Sequence, residues 1–247
     1  MATEQPTQVL ILGIGNILWA DEGFGVRALE ALHRNYTFER PGVESNVRLM
    51  DGGTQGIYLV QDVRDANILV VFDAVDYGLP GGTMKIVEGD EVPKFLGAKK
   101  VSLHQTGFQE VLALAEMMGD YPDKLLLIGV QPVLLEDFGG SLAPEVKAQI
   151  QPAIDVALGY LAEHGINAIK RPVPLKANID EAGSIADMEL YESQRPSESE
   201  ACRIGDTRVI HSEEFQVEYR PADIDGVSVA LDQHLDGYRP KHQPGQD

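Results

Sequence analysis

One cysteine, Cys202, stands in a chain of 247 residues. A single thiol excludes an internal disulfide framework and any cysteine-rich metal site. Positive charge is also scarce: Lys and Arg number 20 against 39 Asp and Glu, for a formal net charge of −19. That balance argues against nucleic acid and against anionic membrane surfaces as partners. No apolar run approaches the ~18 residues of a membrane span. The amino terminus lacks the basic-then-apolar pattern of a secretory leader, so a cytoplasmic protein is expected. There is no internal repeat. Gly-x-Ser-x-Gly is missing as well, which removes the usual serine hydrolase context. Cys202 lies among acidic residues, a poor setting for a thiolate nucleophile.

What is present begins with residues 8–36. Val9 to Leu12 is a continuous apolar run, as in a strand buried on both faces. Gly13 and Gly15 permit a tight turn. Asp21 is placed to cap a helix whose positions Phe24, Ala28, Leu29, Leu32 and Tyr36 share one face. This strand–turn–helix is not a dinucleotide fingerprint. Leu18 stands where the third glycine of Gly-x-Gly-x-x-Gly is needed, and Asp21 and Glu22 would face the pyrophosphate. A second strand is expected from Val43 to Met50, ending in Asp51-Gly52-Gly53-Thr54. The third runs from Asn67 to Ala74. The fourth, Thr83 to Val87, is short-connected and therefore antiparallel. Lys94 to Val101 reads as a basic connection. Ser102 and Gln105 resemble a capping box for a helix with Phe108, Val111, Leu112, Ala115 and Met118 on one face. A fifth strand covers Leu125 to Val130, a long helical pattern punctuated by Pro152 covers 143–164, and Ile166 to Ile169 is a last strand candidate.

Alternating strands and helices predict a three-layer α/β/α domain over residues 1–172, with a twisted, mostly parallel open sheet of about five strands. From Pro172 onward the pattern breaks down. Residues 173–247 hold 16 acidic and 7 basic residues. They read as an acidic C-terminal extension, partly disordered or folded into a small hairpin.

Three side chains fall where an open parallel sheet binds ligands, beyond the carboxyl ends of its strands. Glu22 follows the first strand, Asp73 ends the third, and His104 lies in the first turn of a helix. Taken singly, each has a bland reading: a first-turn acid favours the helix dipole, a strand-end Asp caps a turn, and a His beside an apolar face is a packed core residue. Together they carry more weight. Asp73 emerges from a dry strand and needs a partner. His104 lies one turn before Phe108, and a helix amino terminus keeps its imidazole neutral and fit to bind a metal. One imidazole and two carboxylates suit Ni, Fe, Zn or Mn better than a thiolate-loving metal. Asp51, Gly52 and Gly53 form a candidate substrate loop, and Asp76 a supporting acid behind Asp73. His33 and His164 sit in amphipathic helices as surface or packing residues. His211, His234 and His242 are too scattered for a metal site.

Five stretches in one order, I-L-G-I-G-N-I-L-W-A-D-E-G-F-G-V-R (11–27), D-G-G-T-Q-G (51–56), V-V-F-D-A-V-D-Y-G (70–78), S-L-H-Q-T-G-F-Q-E-V-L (102–112) and I-G-V-Q-P (128–132), resemble the maturation endopeptidases of nickel–iron hydrogenases. Trp19, F-D-A-V-D-Y-G and D-F-G-G-S-L (137–142) resemble the subgroup serving membrane-bound uptake hydrogenases. The resemblance covers about residues 8–171. It implies an endopeptidase that removes a short C-terminal extension from the large-subunit precursor after nickel insertion. It implies that Glu22, Asp73 and His104 form the metal-binding and catalytic set, with nickel carried by the substrate. The precursor, and with it a maturation chaperone, are the expected partners. Members of the family are expected to stop near residues 165–175, leaving 173–247 unmatched. Two other readings stand beside this one: a non-cleaving assembly chaperone for the nickel site, and a nucleotide- or nucleoside-processing α/β protein.

Overall fold

The structure, a computed structural model, describes residues 6–39, 45–98, 103–135, 137–175, 188–195, 222–224 and 227–229. The chain divides into two compact units, Met1–Ser199 and Glu200–Asp247. In the first, the elements run β1 (Thr7–Ile14), α1 (Phe24–Asn35), β2 (Tyr36–Glu39), β3 (Ser45–Gly53), α2 (Val60–Arg64), β4 (Ile68–Ala74), β5 (Met84–Glu88), α3 (Glu91–Ala98), α4 (Leu103–Met117), β6 (Lys124–Val130), α5 (Pro144–Lys147), α6 (Ile150–Glu163), β7 (Asn167–Lys170) and α7 (Met188–Gln194). In the second, β8 (Ala222–Ile224) and β9 (Val227–Val229) pair antiparallel. Asp225-Gly226 stands between them in the sequence, a pair favoured in two-residue hairpin loops.

Five strands form the main sheet in the order β3-β1-β4-β6-β5. β1 is parallel to β3 and β4, β4 is parallel to β6, and β5 closes the edge antiparallel to β6. The expected mixed sheet with an antiparallel fourth strand is what forms. Side chains alternate across it, as the twofold strand period requires. Val9, Ile11, Val70 and Phe72 pack with Phe24, Leu32, Ile154 and Leu161 of α1 and α6. Leu10, Leu12, Leu69 and Val71 pack on the other face with Val63, Phe108, Val111 and Leu112 of α2 and α4. Burying both faces makes the central strands continuous apolar runs: all seven residues of β4 are buried.

This topology fixes where a ligand belongs. The β1–β3 connection passes over one face through α1, and the β3–β4 connection returns over the other through α2. The strand order therefore reverses between β1 and β4, and the crevice at their carboxyl ends is a topological switch point.

Several local expectations give way. Residues 94–98 are not a connection but the end of α3, whose Val92 is buried under the sheet. The 143–164 pattern splits into α5 and α6, and Pro152 falls in the first turn of α6, where its missing N–H costs nothing. Met118 lies beyond α4 and is half exposed. Tyr36 leaves the α1 face to begin β2, which pairs antiparallel with β7 in a separate two-stranded sheet. The proposed cap Ser102 lies outside the described residues.

The first unit also runs past residue 172. α7 packs against it through three polar contacts: Glu192 with Lys147 at 2.7 Å, Glu192 with the Ser141 hydroxyl at 2.7 Å, and Arg195 with Asp137 at 2.8 Å. Met188 adds an apolar contact to the core, and the Arg27 guanidinium of α1 sits 5.2 Å from the centre of the Tyr191 ring.

Candidate active site

The turn after β1 is built on close backbone approach. Gly15 has φ +131°, and a Cβ there would lie 1.8 Å from the Glu22 carbonyl oxygen. Only glycine lets the chain fold back so tightly. Gly25, in the first turn of α1, brings the helix onto the strands: its Cβ would lie 2.2 Å from the Phe72 carbonyl oxygen and 2.3 Å from that of Ile14. Between them Ala20 takes φ +40°, the one described non-glycine residue in the left-handed region. Such a conformation costs on the order of 1–3 kcal/mol and persists only where the surroundings hold it. It opens the 3-10 turn Ala20–Gly23, which carries Glu22 to the carboxyl edge of β1 in a half-buried position.

Asp21, beside it, does not cap a helix. The residue before α1 is Gly23, with no side-chain cap. Asp21 is fully buried and its carboxylate accepts three amides from the chain after β6: Val133 at 2.8 Å and Leu134 at 2.7 Å on Oδ2, and Ala143 at 2.7 Å on Oδ1. A carboxylate with three amide donors is well satisfied when charged. The sequence suggested a helix cap at Asp21 and gave no sign of this role, because the amides lie more than a hundred residues away.

Asp73 is the sixth residue of β4 and is fully buried. Strand alternation puts it on the α4 face, since Leu69 and Val71 lie there and Val70 and Phe72 on the other. Burial, and behind it the negative charge of Asp73, push the Tyr77 hydroxyl well above its ordinary pKa. Asp76 turns out to be a turn acid that Gln131 holds. Its Oδ1 accepts the Gly78 amide at 2.8 Å and the Gln131 side-chain amide at 2.9 Å. The Gln131 oxygen in turn accepts the amides of Tyr77 at 2.7 Å and Leu79 at 3.1 Å. Gln131 thereby ties the segment behind Asp73 to the end of β6.

His104 belongs to the first turn of α4; its side chain lies outside the described residues. The backbone of that turn approaches the end of β3, where a Cβ on Gly107 would lie 3.4 Å from the Gly56 Cα. No cluster of three metal-binding side chains occurs among the described residues. Asp51 and Gly53 line an open depression of about 240 Å³ together with Gly15, Asn16, Ile17, Leu18, Val26 and Thr54. The Asp51 carboxylate accepts the Gly53 amide at 2.9 Å. Partial burial raises its pKa, against the opposing pull of that amide and of Arg27. Gly52 is buried against Leu12. His33 is exposed, and His164 packs on Tyr160, its Nδ1 at 2.8 Å from the Tyr160 carbonyl oxygen.

Two carboxylate-bearing turns and a helix start thus gather along the carboxyl edge of the sheet. Residues 26–160 match the family model described as hydrogenase maturation protease. The chain belongs to the hydrogenase maturation protease family. It is a peptidase. The hydrogenase expression/formation protein HupD of Thiocapsa roseopersicina is 63% identical over 205 residues, covering 83% of this chain and 90% of that protein. HupM of Azotobacter chroococcum mcd 1 is 56% identical over 212 residues, covering 84% and 96%. Among solved structures, the hydrogenase maturating endopeptidase HybD from E. coli is 40% identical with a TM-score of 0.61, covering 67% of this chain and 98% of its own. A match over 205 residues does not fit within residues 1–172, so part of the extension has counterparts in these relatives. The expectation that 173–247 stands unmatched is corrected accordingly.

Proposed function

We propose that this endopeptidase removes the C-terminal extension of a nickel–iron hydrogenase large-subunit precursor once nickel has been inserted, and that Glu22, Asp73 and His104 carry the reaction. The observation that supports this most is the convergence of the Glu22 turn and the Asp73 strand end on the switch-point crevice, with the first turn of α4 beginning on the face that Asp73 occupies. Nickel comes as cargo of the substrate. Two carboxylates are hard-to-borderline donors suited to such an ion, and an imidazole would complete the set. In the hydrolysis, water adds to the scissile carbonyl, the peptide C–N bond breaks, and the leaving amine takes up a proton. Asp73, buried at the end of its strand, and Glu22, half open to solvent, are the groups placed to move those protons. The precursor and its maturation chaperone are the partners of this reading, and the cytoplasm its compartment. Among the described residues no helix is long and apolar enough to cross a membrane.

The test is incubation with purified precursor, nickel-loaded and nickel-starved, read by intact mass. The loaded precursor should lose the mass of its extension and the starved one should stay whole. Equal trimming of both would remove nickel from the recognition. A stable complex with no change in mass would favour a non-cleaving assembly chaperone.

A further inference from the structure

Beside Glu22 stands an exposed apolar wall. Trp19 and Phe138 face each other across an isolated β-bridge, with ring centres 5.3 Å apart in edge-to-face geometry. The Glu22 amide donates to the Trp19 carbonyl at 2.9 Å, so wall and acid share one turn. Leu18 and Leu134 extend the exposed surface. Phe138 belongs to a segment without regular structure between β6 and α5, and two devices fix it. From inside, Asp21 takes the amides of residues 133, 134 and 143. From outside, α7 grips it: Arg195 on Asp137, Glu192 on Ser141 and Lys147, and the Tyr191 hydroxyl 3.5 Å from the Gly140 carbonyl oxygen. Arg27 beneath Tyr191 anchors the same helix to α1.

We propose that α7 is a positioning element which holds Phe138 against Trp19 and so sets the wall along which the precursor chain lies beside Glu22. The inference rests on the proposed function. Its occupant is the precursor segment flanking the cleaved bond, because the wall is continuous with the turn that carries Glu22. α7 acts through the segment that carries Phe138, so its loss should weaken substrate binding and spare the chemical step.

Trp19 is the sole tryptophan, which supplies a readout independent of cleavage. In the full-length protein, Glu192→Lys combined with Arg195→Glu should red-shift Trp19 emission. It should raise KM about fivefold, the size expected of one half-buried ion-pair network, and leave kcat within about twofold. Measured against Glu192→Lys alone, the charge exchange Glu192→Lys with Lys147→Glu should restore emission and KM towards the original. Unchanged emission and KM in the disrupted variant, with the unaltered protein cutting normally, would overturn the inference alone. A fall in kcat at constant KM would also overturn it. An unaltered protein that leaves the precursor whole would overturn it together with the function on which it rests.

Discussion

At the scale of single residues, the neighbouring acids Asp21 and Glu22 differ in exposure and in what is proposed for them. Asp21 is shut away from solvent and accepts three backbone amides, whereas Glu22 stays half open. Asp21→Ala should strand those amides. A fully buried donor left unsatisfied costs about 1–3 kcal/mol; these three are part-buried, so the low end applies to each and a loss of about 3 kcal/mol is expected in urea unfolding. Asp73→Asn should behave in the opposite way. It keeps the shape and volume of the side chain, and the protein should remain folded, as read by circular dichroism, yet fail to shorten the precursor. Normal cleavage by this variant would dismiss Asp73 from the site. The positions of Glu22 and Asp73, at a glycine turn and a strand end, were legible because those are local signals. Asp21 and Gln131 were not, because their partners lie across the fold and no spacing along the chain encodes them.

At the scale of elements, most of the sheet could be read from apolar runs, since strands covered on both faces have to be apolar throughout. The failures have a common cause. α3 is short and only part of it is buried, and β2 and β7 are four residues each and depend on one another, so none carries a periodic signal of its own. α7 shows the same weakness: no residue of it is buried, and its hold is mainly polar. Glu192 gives that hold a pH dependence. Burial would raise its pKa, but the hydrogen bonds from Lys147 and Ser141 outweigh this and leave it lowered. A carboxyl lowered in the folded state contributes stability above its unfolded value of about 4.3, and the contribution is lost as pH falls through the lowered folded value. Trp19 emission should therefore hold steady from neutral pH down to the ordinary glutamate range and shift only below it. Glu192→Gln should remove that acid transition, and its survival in the variant would assign it to another group.

At the scale of the whole molecule, the chain joins a unit that ends at Ser199 to a second that begins at Glu200. Composition alone suggested a break near residue 172, where helix and strand periodicity fades, but periodicity is blind to a short helix fastened by salt bridges. The two boundaries make different thermal predictions. Ending the chain at Ser199 keeps α7 and all its described contacts, so the melting temperature should stay within about 1 °C, well inside the roughly 2–4 °C that 1 kcal/mol is worth in a domain of this size. Ending it at Leu175 removes two ion pairs, a cation–π contact and the packing of Met188. At about 0.5 kcal/mol for each such surface contact, that is about 2 kcal/mol, or a fall of roughly 4–8 °C. Calorimetry on the two shortened chains separates the alternatives. Equal melting temperatures for both would mean that α7 contributes nothing to the unit it lies on. The domain would then end where the periodicity ends, and the grip on Phe138 would have to come from Asp21 and from the bridge to Trp19.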